Sequence, residues 1–168
     1  MWAGFRQVEL PTQKREVKKE VSLQLKEESK LKENIVTTKY ENLAKVTMDF
    51  VADFEGFYEC AYWDVKQWSI WYGTKSYKWE CITREEAKNR KAEVIKPILA
   101  EIPSCFTDNQ KIAIVSYQYN TWGNQMWFKK YVQKCDKKSV LYIMNSWGWN
   151  MPWLVKRRTI EITKFNTL

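Results

Sequence analysis

The chain has 168 residues, 45% hydrophobic and 15% aromatic, including ten Trp and nine Tyr, which suits one domain or one domain plus an appendage. It contains no histidine, so a Ser/His/Asp triad, a histidine general base and histidine-ligated metals are excluded. A formal net charge of +8 draws it toward polyanions, whether nucleic acid, anionic lipid or acidic wall polymers, without choosing among them.

Residues 1–45 differ from the rest. They hold one of the ten Trp and a dense mixed-charge run from Lys14 to Glu33. Val17, Val21, Leu23, Leu25 and Leu31 are irregularly spaced for a helix and partly alternate as in a strand. The segment reads as an arm, extended or marginally helical, without a core of its own. From Tyr40 to Phe54 the pattern becomes globular. Tyr40, Leu43, Ala44, Val46, Phe50, Val51 and Phe54 fall near one helical stripe, and Gly56 follows as a stop.

Residues 57–80 lose that period and alternate around Trp68–Tyr72, as a small antiparallel sheet does. Thr83 and Glu86 form a capping box that starts a helix reaching about Glu101, with Pro97 expected to kink or break it. Thr107 and Gln110 repeat the device before a buried helix that ends near Asn120 to Gly123. Shorter helices are expected at Met126–Lys134, Ser139–Trp147 and Leu154–Lys164. The order of helix, small sheet and several helices defines an α+β domain over residues 46–168.

Cys60, Cys81, Cys105 and Cys135 contain no CxxC pair, which argues against a zinc ribbon or a thioredoxin-like site. Buried free thiols are the expected state, with two disulfides the arithmetical alternative. No apolar run approaches a membrane span, and no signal-peptide core opens the chain. Neither a cofactor nor a metal is implied.

The most specific residues are Phe54-Glu-Gly-Phe57, Ala61-Tyr-Trp-Asp64 and Ser69-Ile-Trp-Tyr-Gly73. They are followed by Ile82–Ala87, Asn120-Thr-Trp-Gly123 and Pro152–Arg158. In order and spacing these resemble the phage-type lysozymes (glycoside hydrolase family 24) over roughly residues 45–168. The resemblance implies a mostly helical lysozyme-like fold and cleavage of the glycan strands of bacterial peptidoglycan. Glu55 takes the place of the proton-donating acid, Asp64 that of the second carboxylate, and Ser69 that of a Thr that helps position the attacking water. Trp71, Tyr72 and Asn120 are the expected substrate contacts, and one of Arg157 and Arg158 is expected to pair with the Glu55 region.

The chemistry gives its own reason. Glycoside hydrolysis needs one acid at the leaving oxygen and a second carboxylate to stabilise positive charge or activate water. Phe54 and Phe57 flank Glu55, and apolar neighbours favour the protonated acid.

Three departures bear on the second carboxylate. The stretch from Asp64 to Ser69 is one residue shorter than in most relatives, Trp71 stands where Gly is usual, and Thr74 stands where His is frequent.

Without an export signal of its own, such an enzyme reaches the wall by lysis, through a holin-like pore or inside a particle. It would reside in a phage virion (tail or internal core) or in the host cytoplasm before release. The arm fits docking to phage tail or internal virion proteins. Rival readings are a lysozyme fold with catalysis lost, and a lytic transglycosylase, which needs no second carboxylate. A nucleic-acid module is disfavoured because Lys129-Lys130 and Lys137-Lys138 are short basic runs without a recognised motif.

Overall fold

The computed structural model describes residues 11–55, 58–70, 74–121, 125–148 and 150–167. Among the described residues six helices and three strands occur in chain order: α1 Pro11–Ala52, β1 Tyr62–Asp64, β2 Gln67–Ile70, β3 Thr74–Lys75, α2 Arg84–Glu101, α3 Asp108–Asn120, α4 Gln125–Gln133, α5 Lys137–Ser146 and α6 Pro152–Asn166. The chain divides into two compact units, Met1–Lys39 and Tyr40–Leu168. Among the described residues no helix is long and apolar enough to cross a membrane.

In the first unit the described residues are α-helical, not extended. Neither Gly nor Pro occurs from Thr12 to Glu55, and Lys, Glu, Gln and Leu all favour the helix. Glu28 precedes Lys32 by one helical turn, a pairing that supports helices by about 0.2–0.5 kcal/mol. Residues 18–39 are exposed throughout, Val21, Leu25, Leu31 and Ile35 included, so this stretch has no core within its own unit.

The second unit is built around α3. Its N-terminus is fixed by a reciprocal capping box between Thr107 and Gln110, and every residue from Lys111 to Gln118 is buried. α3 packs against α6 and α2, while α4 packs on α5 and α5 on α6. Tyr117 meets Phe128 of α4 at 4.7 Å between ring centroids, and burial pushes its phenol up to about 12. The last turns of α1 contribute Leu43, Ala44, Thr47, Met48 and Val51. Val46, expected on that stripe, is exposed, because the buried face runs through Thr47 and Met48 instead. Thr47 is satisfied within the helix by donating to the Leu43 carbonyl at 2.7 Å. α2 starts at its Thr83 cap and continues through Pro97. Pro97 lies on the exposed side, where the carbonyl deprived of its N–H partner can be hydrated.

The sheet is antiparallel in the order β1-β2-β3. A two-residue turn, Val65-Lys66, joins β1 to β2 and sets Tyr62 opposite Ser69, Trp63 opposite Trp68 and Asp64 opposite Gln67. Strand alternation then puts Tyr62, Asp64, Gln67 and Ser69 on one face and Trp63 and Trp68 on the other. The short hairpin has a cost. Val65 takes φ 43, a position that such turns usually give to Gly, Asn or Asp, and it is 83% exposed.

The cysteines are not free thiols. Cys60 bridges Cys81, and Cys105 bridges Cys135. Three of the four are exposed, since they tie surface segments together and do not fill the core. Cys60 and Cys81 face each other across an antiparallel bridge that closes the base of the hairpin. Cys135 adopts φ 56 just past α4, with Asp136 N–H bonded back to the Tyr131 carbonyl at 3.0 Å. Glycine usually fills that position, and the cross-link accounts for a cysteine there. The loop from Cys105 to Cys135 spans 30 residues, for which chain entropy predicts about 3–4 kcal/mol of stabilisation. Replacing both cysteines by Ser should lower the urea midpoint by that equivalent. An unchanged midpoint would show that the bridge adds nothing to stability.

Candidate active site

α1 ends at Ala52, and two tight turns follow: Phe54 N–H bonds the Val51 carbonyl at 3.1 Å, and Glu55 N–H bonds that of Ala52 at 3.2 Å. Unwinding at this point turns Glu55 off the helix while its backbone stays anchored. Its side chain is 24% exposed, and its carboxylate accepts from Arg157 Nη1 at 2.7 Å. The expected apolar surroundings are only part of the picture. Arg157 stacks over Phe54, 4.9 Å from the ring centroid, and brings its cation to the carboxylate.

Arg157 is itself held on all sides. Nε donates to Glu161 Oε1 at 3.0 Å, and Nη2 donates to the Ser116 carbonyl at 3.1 Å. Ser116 Oγ donates to the same Glu161 oxygen at 2.6 Å. The other oxygen of Glu161 takes Arg158, which also donates to Asn120 Oδ1 and lies over the rings of Tyr117 and Trp147, 4.7 and 5.2 Å from their centroids. Arg158 and Glu161 are fully buried. Glu161 thus receives both guanidinium groups, and Arg157 in addition reaches Glu55. Buried charges are retained only with this kind of pairing.

A cavity of about 510 Å³ opens beside Glu55, with Phe50, Asp53, Asn120, Trp153, Lys156 and Arg157 among its walls. Asn120 ends α3, yet the cap that closes the helix is Thr121, whose hydroxyl donates to the Tyr117 carbonyl at 2.8 Å. The Asn120 carboxamide is thus left to join the Arg158 network and line the cavity.

Asp64 and Ser69 lie on the hairpin and meet each other. Ser69 Oγ donates to Asp64 Oδ2 over a long 3.5 Å and accepts from Gln67 Nε2 at 3.2 Å. Ser69 is fully buried, whereas Asp64 is exposed. Trp71 and Tyr72 lie outside the described residues, as do Gly56 and Phe57.

Two site residues were not foreseen. Tyr62 sits on the Asp64 face of β1; burial raises its phenol pKa first, and the carboxylates of Asp64 and Glu55 add to that. Lys91 of α2 is buried with its ammonium 4.6 Å from the Tyr119 ring centroid. Burial lowers its pKa and the nearby Glu55 charge opposes that shift. A Lys at helical spacing between Ala87 and Ile95, on an otherwise apolar stripe, was the available sequence signal.

A small helical domain with a three-stranded hairpin sheet, and a cavity at the junction of its first and last helices, defines a lysozyme-like α+β protein. The family model for phage lysozyme matches residues 52–161. The chain belongs to that family. Among solved structures it is similar to the muramidase domain of SpmX from Asticaccaulis excentricus, at 22% identity and a TM-score of 0.61, covering 73% of this chain and 96% of that one. It is also similar to the endolysin from Escherichia coli O157:H7 phage FAHEc1, at 22% identity and a TM-score of 0.56, covering 71% and 90%. At that identity the two likenesses carry the fold. A comparison with curated proteins finds no match.

Proposed function

We propose that the chain is a muramidase that hydrolyses the glycan strands of bacterial peptidoglycan, with Glu55 as general acid and Asp64 as the second carboxylate. The observation that carries this reading is the Glu55 carboxyl on a cavity wall, anchored by a buried Arg157 that Ser116 and Glu161 hold rigid. Catalytic groups work when their supports fix them before substrate arrives. In this mechanism Glu55 protonates the glycosidic oxygen while Asp64 activates a water on the opposite face of the sugar. Ser69, buried and bonded to Asp64, orients that carboxylate more than it touches the water. Asn120 and the exposed Trp153 are the substrate contacts on the cavity wall.

Hydrolysis should proceed with inversion of the anomeric centre, the outcome for two carboxyl groups separated by roughly 6.5–9.5 Å with a water between them. NMR of fresh products from purified peptidoglycan reads this directly. A retained anomer, or a covalent sugar on Asp64, would exclude the single-displacement route. An anhydro-sugar end would assign the chain to the lytic transglycosylases.

The N-terminal helix is proposed as a docking segment for a phage tail or internal virion protein, which would make this a particle-borne wall hydrolase; an endolysin for release is the other setting. A chain starting at Tyr40 should still fold and cleave walls while no longer co-purifying with particles. Loss of folding on that truncation would show instead that the helix is part of the catalytic domain.

A further inference from the structure

The sheet carries a second surface, on the face turned away from Asp64. There the cross-strand pair Trp63 and Trp68 meets edge to face at 5.7 Å. Lys78 Nζ lies 5.9 Å from the Trp68 ring centroid and 4.9 Å from that of Trp79. Three indoles and an ammonium are therefore contiguous. Trp63 is 59% exposed and Trp79 79% exposed.

Folding alone gives no reason for Trp79. It stands third in the turn that Glu80 N–H closes on the Tyr77 carbonyl at 3.2 Å, and its φ is 73, where such turns call for glycine. A bulky side chain there is strained, and so exposed a ring recovers little by burial. The turn is nonetheless held firmly. Glu80, buried, accepts from Ser76 Oγ and from Arg90 Nη1, each at 2.6 Å, and these bonds hold its carboxyl below the usual range. The next residue, Cys81, is bridged to Cys60. Strain that the surroundings maintain at an exposed aromatic points to a ligand. Charge indicates its sign: between Val65 and Trp79 the charged residues are Lys66, Lys75 and Lys78, with no carboxylate.

We propose that Trp63, Trp68, Lys78 and Trp79 form a non-catalytic platform for peptidoglycan, gripping a glycan strand and its anionic peptide stems next to the strand being cut. This rests on the reading of the chain as a wall hydrolase. The indole faces stack against the C–H faces of the sugar rings, and Lys78 meets the carboxylates of the peptide stems. On an insoluble polymer such a grip keeps the enzyme in place between cuts.

The test is co-sedimentation of the full chain with purified insoluble peptidoglycan, in a Glu55→Gln background so that the polymer survives. Trp63→Ala with Trp79→Gly should weaken binding by about tenfold or more, the loss expected on truncating central aromatic anchors. With Glu55 restored, the same pair should slow turnover of insoluble walls and leave turnover of a short soluble fragment unchanged. Trp79→Gly alone relieves the strained turn, so it should fold at least as well as the parent and still lose part of the wall binding. Unchanged sedimentation, or an equal loss on the short fragment, would overturn the platform. So would substitution-sensitive binding to phosphatidylglycerol vesicles in place of peptidoglycan, which would make the patch a lipid contact. Because sedimentation needs no turnover, an inactive chain would refute the hydrolase reading while leaving the platform to be judged on binding.

Discussion

Glu55→Gln should reduce wall hydrolysis by at least about a thousandfold while the protein stays folded. General-acid catalysis commonly contributes 10²–10⁴-fold, and here the leaving sugar oxygen has no other proton donor in the proposed scheme. The amide keeps the shape of the side chain and can still accept a hydrogen bond from Arg157, but it has no acidic proton to give. The fold should survive because Arg157 retains Glu161 and Ser116 after the charge at Glu55 is gone. The assay is release of soluble fragments from purified walls, with circular dichroism on the same sample. Ordinary turnover by the folded variant would remove Glu55 from the mechanism. Asp64→Asn should also impair cleavage, by a smaller factor if Asp64 only orients water.

Glu161→Ala should be the most damaging single change to stability, with an expected loss of about 3–5 kcal/mol, the usual cost of stripping one partner from a buried ion pair. Glu161 is fully buried and its two oxygens receive Arg157, Arg158 and Ser116. Without it Arg158 would keep Asn120 and its aromatic neighbours, but two cations would lie inside α6 and α3 with Glu55 as their one remaining carboxylate partner in this cluster. That loss is a large fraction of the 5–15 kcal/mol that ordinarily holds a domain together. Urea unfolding of the two proteins measures it. Glu161→Gln keeps the side-chain shape and one acceptor oxygen but turns an NH2 donor toward one guanidinium, so it should fall between them. A shift below about 1 kcal/mol for the Ala variant would mean that the cluster relaxes or is hydrated, and that its rigidity cannot be what positions Glu55.

Much of the helical domain was readable because its signals are local. Thr83 with Glu86 and Thr107 with Gln110 mark helix starts by chemistry that acts within one turn: both Thr caps form, the reciprocal box closes at Gln110, and Glu86 turns its carboxylate to Arg90. The alternation around Trp68 and the ordered fragments from Glu55 to Arg158 likewise depend on neighbours in sequence, and they led to the right family. For the arm the choice between extended and helical stayed open, because its scattered apolar residues have no helical stripe while its Lys, Glu and Leu content favours a helix, and the helix is what forms.

What the chain order left open depended on partners distant in sequence. Arg157 and Arg158 are adjacent and chemically alike. Only the packing of α6 against α3 sends one to Glu55 and the other to Asn120. Cys60 and Cys81 are bridged because two flanking segments pair across the sheet base, which spacing alone could not distinguish from free thiols. Tyr62 comes onto the Asp64 face through the β1–β2 register, and Lys91 is buried against Tyr119 through the packing of α2 on α3. Propensity and capping act through nearby residues and are written in the sequence. Ion pairing and cross-linking join residues as far apart as Glu55 and Arg157, and only the tertiary structure decides which groups meet.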